Sequence, residues 1–164
     1  MGWLVPLIAL ALVVLGLSGC HRRLEEAEAD ADAATGTNPV GDATQSCGGE
    51  GCDEFLGEVE DLLADSATGR EALEYMRDNN IRVDVVADGR GSRYSNMDRR
   101  IYLDRTEGTS RAAMALVHEV EHRRRLDCGD RPSLRDSTRD GYIRGMIAEE
   151  TAATSAAIRT RQEL

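Results

Sequence analysis

From Phe55 onward the apolar positions settle into helical spacing: Phe55, Leu56, Val59, Leu62 and Leu63 lie on one side of an amphipathic helix. Thr68, with Glu71 three residues on, reads as a capping box that starts a second helix. Leu73, Tyr75 and Met76 are its apolar residues, and Asn79-Asn80 end it. The period then drops to two. Ile81, Val83 and Val85 alternate with Arg82 and Asp84, the signature of a strand. Asp88-Gly89 and Gly91 mark a turn, and Arg93-Tyr94 leads to another at Asn96 to Asp98. Ile101 and Leu103 alternate in the strand that follows. Gly108-Thr109-Ser110 breaks the chain and caps a third helix, Arg111 to about Arg125. A loop rich in Asp, Gly, Pro and Ser covers roughly Asp127 to Asp140, and a fourth helix runs from about Gly141 to the end. Ile143, Met146, Ile147 and Ile158 define the buried stripe expected of that helix. The pattern predicts an α+β domain over residues 53–164, with no internal repeat.

The chain before this domain has a different texture. Trp3 to Leu17 is a continuous apolar run of the size of a signal-peptide core, and it ends in Leu17-Ser18-Gly19-Cys20. That ending resembles the lipobox of bacterial lipoproteins, which implies cleavage before Cys20, lipidation of its thiol and a membrane anchor. No Lys or Arg precedes the run, a departure from the usual signal peptide. Residues 1–20 are therefore expected to be a lipoprotein leader, and the mature protein to reside in the bacterial envelope. Residues 21–52 hold seven carboxylates, from Glu25 to Glu50, against Arg22 and Arg23, with abundant Ala, Gly and Thr. Almost nothing there could be buried, so a flexible acidic tether is expected.

Charge and cysteines narrow the partners and the compartment. The net charge of −10 argues against a nucleic-acid partner, since phosphate binding needs a basic surface. All 20 basic residues are arginine. Export would place Cys47, Cys52 and Cys128 in an oxidising space, where a Cys47–Cys52 ring and a Cys52–Cys128 bridge are both open. Three of the arginines, Arg123 to Arg125, fall at the end of the third helix, where its dipole favours cations.

The chemistry lies on that helix, in His118-Glu119-Val120-Glu121-His122. Residues four apart lie about 40° apart around a helix, so His118 and His122 can grip one ion without a loop to position them. Glu119, about 100° round from His118, reaches water beside the ion rather than the ion itself. Zinc lowers the pKa of such a water to about 7, and the carboxylate can take its proton as it attacks a carbonyl. Two of the chain's three histidines fall at this spacing with a glutamate between them.

A catalytic zinc needs a third protein ligand and an open fourth position. Arg125 and Cys128 stand where a metzincin pattern needs Gly and His, so the third ligand is sought on the fourth helix, at Glu149 or Glu150. Helical phase favours Glu150, which falls near the middle of the isoleucine stripe, with Glu149 roughly 120° away. A glutamate on an apolar face is costly unless a cation meets it.

This constellation resembles the gluzincin branch of zinc metallopeptidases in compact form, over about Ile81 to the end. The resemblance implies a zincin-like fold and hydrolysis of peptide bonds. Zn2+ would be held by His118, His122 and Glu150, with Glu119 as general base. It also implies that the strand ahead of the active-site helix, Ile101-Tyr102-Leu103, edges the cleft and accepts the peptide substrate as an added strand. Tyr142 is the candidate oxyanion stabiliser. Larger gluzincins often place an Asp four residues after the ligand glutamate to orient a histidine; Thr154 stands there instead. The alternative is a zinc-binding envelope lipoprotein that binds or supports without catalysis, because so short a domain has little material for a walled cleft.

Overall fold

The computed structural model describes residues 50–164. The leader, Cys20, the tether up to residue 49 and Cys47 lie outside them. Four helices and one small mixed sheet follow in the order α1 (Glu50–Ala64), α2 (Ala67–Asp78), β1 (Arg82–Val86), β2 (Arg93–Ser95), β3 (Arg100–Asp104), α3 (Thr109–Asp127) and α4 (Arg139–Glu163). A single 3-10 turn, Arg105–Glu107, joins β3 to α3. The class is mixed α+β. No helix among the described residues is long and apolar enough to cross a membrane.

Helix boundaries follow local chemistry, with shifts from the sequence expectation. α1 starts at Glu50, three residues before the expected domain start. The cap of α2 is Ser66, not Thr68: its hydroxyl accepts from the Gly69 amide at 2.7 Å. Thr68 instead donates its hydroxyl and its amide to the Glu163 carboxylate, both at 2.8 Å, tying α2 to the end of α4. Gly69 has to be glycine, since a Cβ there would stand 2.3 Å from the Leu63 carbonyl oxygen. α4 begins two residues earlier than expected, capped by Thr138.

The strand order is β1-β3-β2, with β1 parallel and β2 antiparallel to β3. Ile101-Tyr102-Leu103 is therefore the centre of the sheet, and β2 is an edge. The expectation that β3 edges the cleft fails because the short Arg93-Tyr94 segment pairs on its outer side, where its own alternation was too brief to read as a strand. Directly opposed residues share a face: Val83, Ile101 and Tyr94 form one row across the sheet and look toward the helices. On the other face Arg100 pairs with Asp84 at 2.6 Å, and Arg93 lies over the Tyr102 ring. Asp104, wholly buried at the end of β3, accepts from the Gly91 and Thr106 amides and the Thr106 hydroxyl. Burial works to raise its pKa, but these hydrogen bonds outweigh that and hold it low, and they pin the loop leading into β2.

The core is aliphatic: Val59 and Leu63 of α1, Ile101 and Leu103 of β3, and Ala112, Ala113, Leu116, Val117 and Val120 of α3. α3 is thus the central element, touched by α1, α2, the sheet and α4. Cys52 and Cys128 are both disulfide-bonded.

Cap assignment makes a direct prediction. Ser66→Ala should lower the unfolding free energy by about 1 kcal/mol, since it leaves the Gly69 amide without its acceptor. Thr68→Ala should cost less, because its partner is exposed at the end of α4. Equal urea midpoints for the two variants would contradict this reading of the α2 terminus.

Candidate metal centre

The site is built where α4 returns along α3. The loop 128–138 turns the chain back, and α4 meets α3 along Glu149, Ala153, Ala156 and Thr160, spaced 4, 3 and 4 residues. This is one helical stripe, made of small residues and one glutamate. The isoleucine stripe expected to be buried is not: Ile143, Ile147 and Ile158 are 43%, 60% and 52% exposed. The face that α4 turns to the rest of the domain carries alanine and threonine, which are smaller than isoleucine, so the phase set by hydrophobicity was wrong.

Despite that, Glu150 is the carboxylate that reaches the two histidines. One donor atom from each of His118, His122 and Glu150 lies within 4.8 Å of the others. The histidine Nε2 atoms are 3.0 Å apart. Glu150 Oε2 lies 3.5 Å from His118 Nε2, and its Oε1 lies 3.5 Å from His122 Nε2. Its side chain is 57% exposed, at the rim of the helix pair rather than within it. Four residues of α3 bring the imidazoles onto one face, with their rings edge to face.

Glu149 was expected to point away, and the structure corrects this. It is 2% exposed, and its Oε1 lies 2.9 Å from His122 Nδ1. A carboxylate is acceptor-only, so the neutral imidazole carries its proton on Nδ1 and turns the Nε2 lone pair toward His118 and Glu150. Arg131, from the loop before α4, brings its Nε to 3.7 Å from the same oxygen. Glu149 Oε2 has no hydrogen-bond partner. Sequence reasoning missed this residue for want of the right stripe; the signal was the run of alanines at 153 and 156. The orienting carboxylate that Thr154 does not supply is thus present one residue before Glu150.

Glu119 is half-buried and accepts from the backbone amide of Tyr94 on β2, at 2.9 Å from Oε2. Burial raises its pKa, and the Tyr94 amide only partly opposes that, so the group sits above the usual carboxylate range. His118 is held low, first by burial and then by the charge of His122. It stays neutral further into acid. Tyr142 lies in the first turn of α4, about 12 Å along the axis from Glu150, and makes no hydrogen bond to the group among the described residues.

Arg123 to Arg125 divide in role. Arg124 and Arg125 pair with Glu121 near the helix end, in keeping with the dipole reading. Arg123 does not: it is 8% exposed and bonded to Asp127 and Tyr94.

The tautomer is measurable. In the metal-free chain the 15N shifts of neutral His122 should show a protonated Nδ1 and a bare Nε2, and Glu149→Ala should return the ring to a tautomer mixture. A protonated Nε2 in the unmodified chain would refute the Glu149 assignment. The chain matches no protein-family model, no curated protein and no solved structure.

Proposed function

We propose that this chain is a zinc-dependent hydrolase of amide bonds, of the gluzincin type on a compact zincin-like domain. The single observation that carries the reading is the convergence of His118, His122 and Glu150, with Glu119 close enough to interact electrostatically with His122 and Glu150. The donor set fits the ion. A tetrahedron with bonds of 2.0–2.1 Å to nitrogen and oxygen has edges of about 3.3 Å; here the two Nε2 atoms are 3.0 Å apart, and each lies 3.5 Å from a different oxygen of the Glu150 carboxylate. Two neutral imidazoles and one carboxylate leave a fourth position for water or substrate. Zinc held there would supply a Lewis acid for the scissile carbonyl and hydroxide at neutral pH.

The chain's own residues account for the rest. Glu119, with its pKa held up, accepts the proton of the attacking water and passes it to the leaving amine as the C–N bond breaks. The Tyr94 amide holds Oε2, which leaves Oε1 for that proton. Glu149 keeps His122 in the tautomer that presents Nε2. β2 is the sheet edge beside Glu119, so a peptide would add as a strand there rather than along β3. A groove of Met146, Ile147, Thr154 and Ile158 borders Glu150 and offers an apolar wall for a substrate side chain. Export and lipid anchoring at Cys20 complete the proposal. The disulfide-bonded state of Cys52 and Cys128 supports an oxidising compartment.

Three variants test the assignment by metal analysis and peptide hydrolysis. Glu150→Gln should weaken zinc binding by orders of magnitude. Glu149→Ala should weaken it by about 10- to 100-fold, through loss of histidine orientation. Glu119→Gln should keep the metal and lose hydrolysis. A purified chain that takes up no zinc, or hydrolysis that survives Glu119→Gln, would remove the proposal.

A further inference from the structure

The guanidinium of Arg123 is buried inside a protein that places most of its charges in water. Such a group is costly unless every donor finds an acceptor. Here Nε donates to Asp127 Oδ2 at 2.8 Å and Nη2 pairs with Asp127 Oδ1, a bidentate fork one helical turn on. Its remaining arm, Nη1, donates to the Tyr94 hydroxyl at 2.9 Å, with the guanidinium carbon 5.7 Å from the ring centroid. Asp127 is itself braced from α2 by the Tyr75 hydroxyl at 2.6 Å. The fork is therefore fixed at both ends before it meets Tyr94.

Tyr94 belongs to β2, a strand of 3 residues with a single neighbour, β3. So short an edge strand has little pairing of its own to hold it against α3. α3 grips it at two points through one residue. The Tyr94 amide bonds Glu119, and its phenol bonds Arg123, four residues later on the same face of the helix. The tyrosine side chain spans the helical turn between them. Moving the phenol would move the amide that holds the Glu119 carboxylate.

We infer that Arg123 is a positioning residue for Glu119: by holding the Tyr94 phenol, it fixes the edge-strand amide that orients the Glu119 carboxylate. The role of Glu119 as base is taken from the proposed hydrolase, but the clamp is a property of the fold. Its chemical demand is specific. The donor must reach Asp127 with two nitrogens and Tyr94 with a third, which arginine does and lysine does not.

The test uses the full chain with Tyr94→Phe, which removes one hydroxyl and leaves the Arg123–Asp127 fork intact, alongside Arg123→Lys. Amide exchange at residue 94 should quicken by about tenfold in both, the scale of one lost hydrogen bond. The 13C resonance of the Glu119 carboxyl should shift, while exchange at Leu116 and Val120 and the bound zinc stay as in the unmodified chain. Where peptide hydrolysis is measured, kcat should fall with KM unchanged. Unaltered exchange at residue 94 and an unaltered Glu119 resonance in Tyr94→Phe would overturn the inference. So would a general rise in exchange reaching Leu116 and Val120, which would make the hydroxyl a plain element of stability. Exchange and carboxyl shift need no catalysis, so a chain that hydrolyses nothing would sink the hydrolase and leave the clamp to be decided separately.

Discussion

The close packing of α4 on α3 is the constraint on which the rest depends. Ala153 and Thr160 of α4 are wholly buried and Ala156 packs on the core beside them, so α4 meets the domain through small side chains. Once that stripe sets the rotation of α4, the two adjacent glutamates have different fates. Glu149 falls inside, against His122; Glu150 falls at the rim, where its carboxylate reaches both imidazoles. A rotation of one residue, about 100°, in the sense that carries Glu149 to the rim would turn Ala148 inward and leave His122 with no orienting acceptor.

Buried charge is handled by pairing throughout. Glu149 meets His122 and Arg131, Arg123 meets Asp127 and Tyr94, and Asp104 is wrapped by the amides of the loop before β2 and by Thr106. Each such group would be expensive alone, and each acquires a fixed direction by being satisfied. The sheet is too small to define a site by itself, and the Arg123–Tyr94 and Glu119–Tyr94 hydrogen bonds tie its edge strand to α3. Glu149 Oε2 is the one buried side-chain oxygen without a hydrogen-bond partner among the described residues.

Several elements were legible from the sequence because their physics is local. Helical spacing found α1, alternation found β1 and β3, and the break at Gly108-Thr109-Ser110 found the start of α3. His118, Glu119 and His122 were legible for the same reason, since their geometry is fixed by one helix and needs no neighbour. Boundaries moved by a few residues where two capping side chains competed, as Ser66 and Thr68 did.

What the sequence could not decide lay wherever a choice depended on a surface elsewhere in the chain. Hydrophobicity assigned the isoleucines of α4 to the interior, yet close helix contact rewards small volume, and the alanine stripe is buried instead. Glu150 was reached from a mistaken phase, and Glu149 was discarded by that same phase although it is the buried member of the pair. β2 was read only as a lead-in to a turn, because three residues carry too little alternation, and its pairing outside β3 moved the sheet edge away from Ile101-Tyr102-Leu103. Arg123 could not be told from Arg124 and Arg125 by helix dipole alone; only its partners, Tyr94 on β2 and Asp127 one turn on, separate it. Local periodicity determined the elements and the two histidines, whereas helix rotation and strand order, which answer to packing volume and to partners distant in the chain, were settled by the tertiary structure alone.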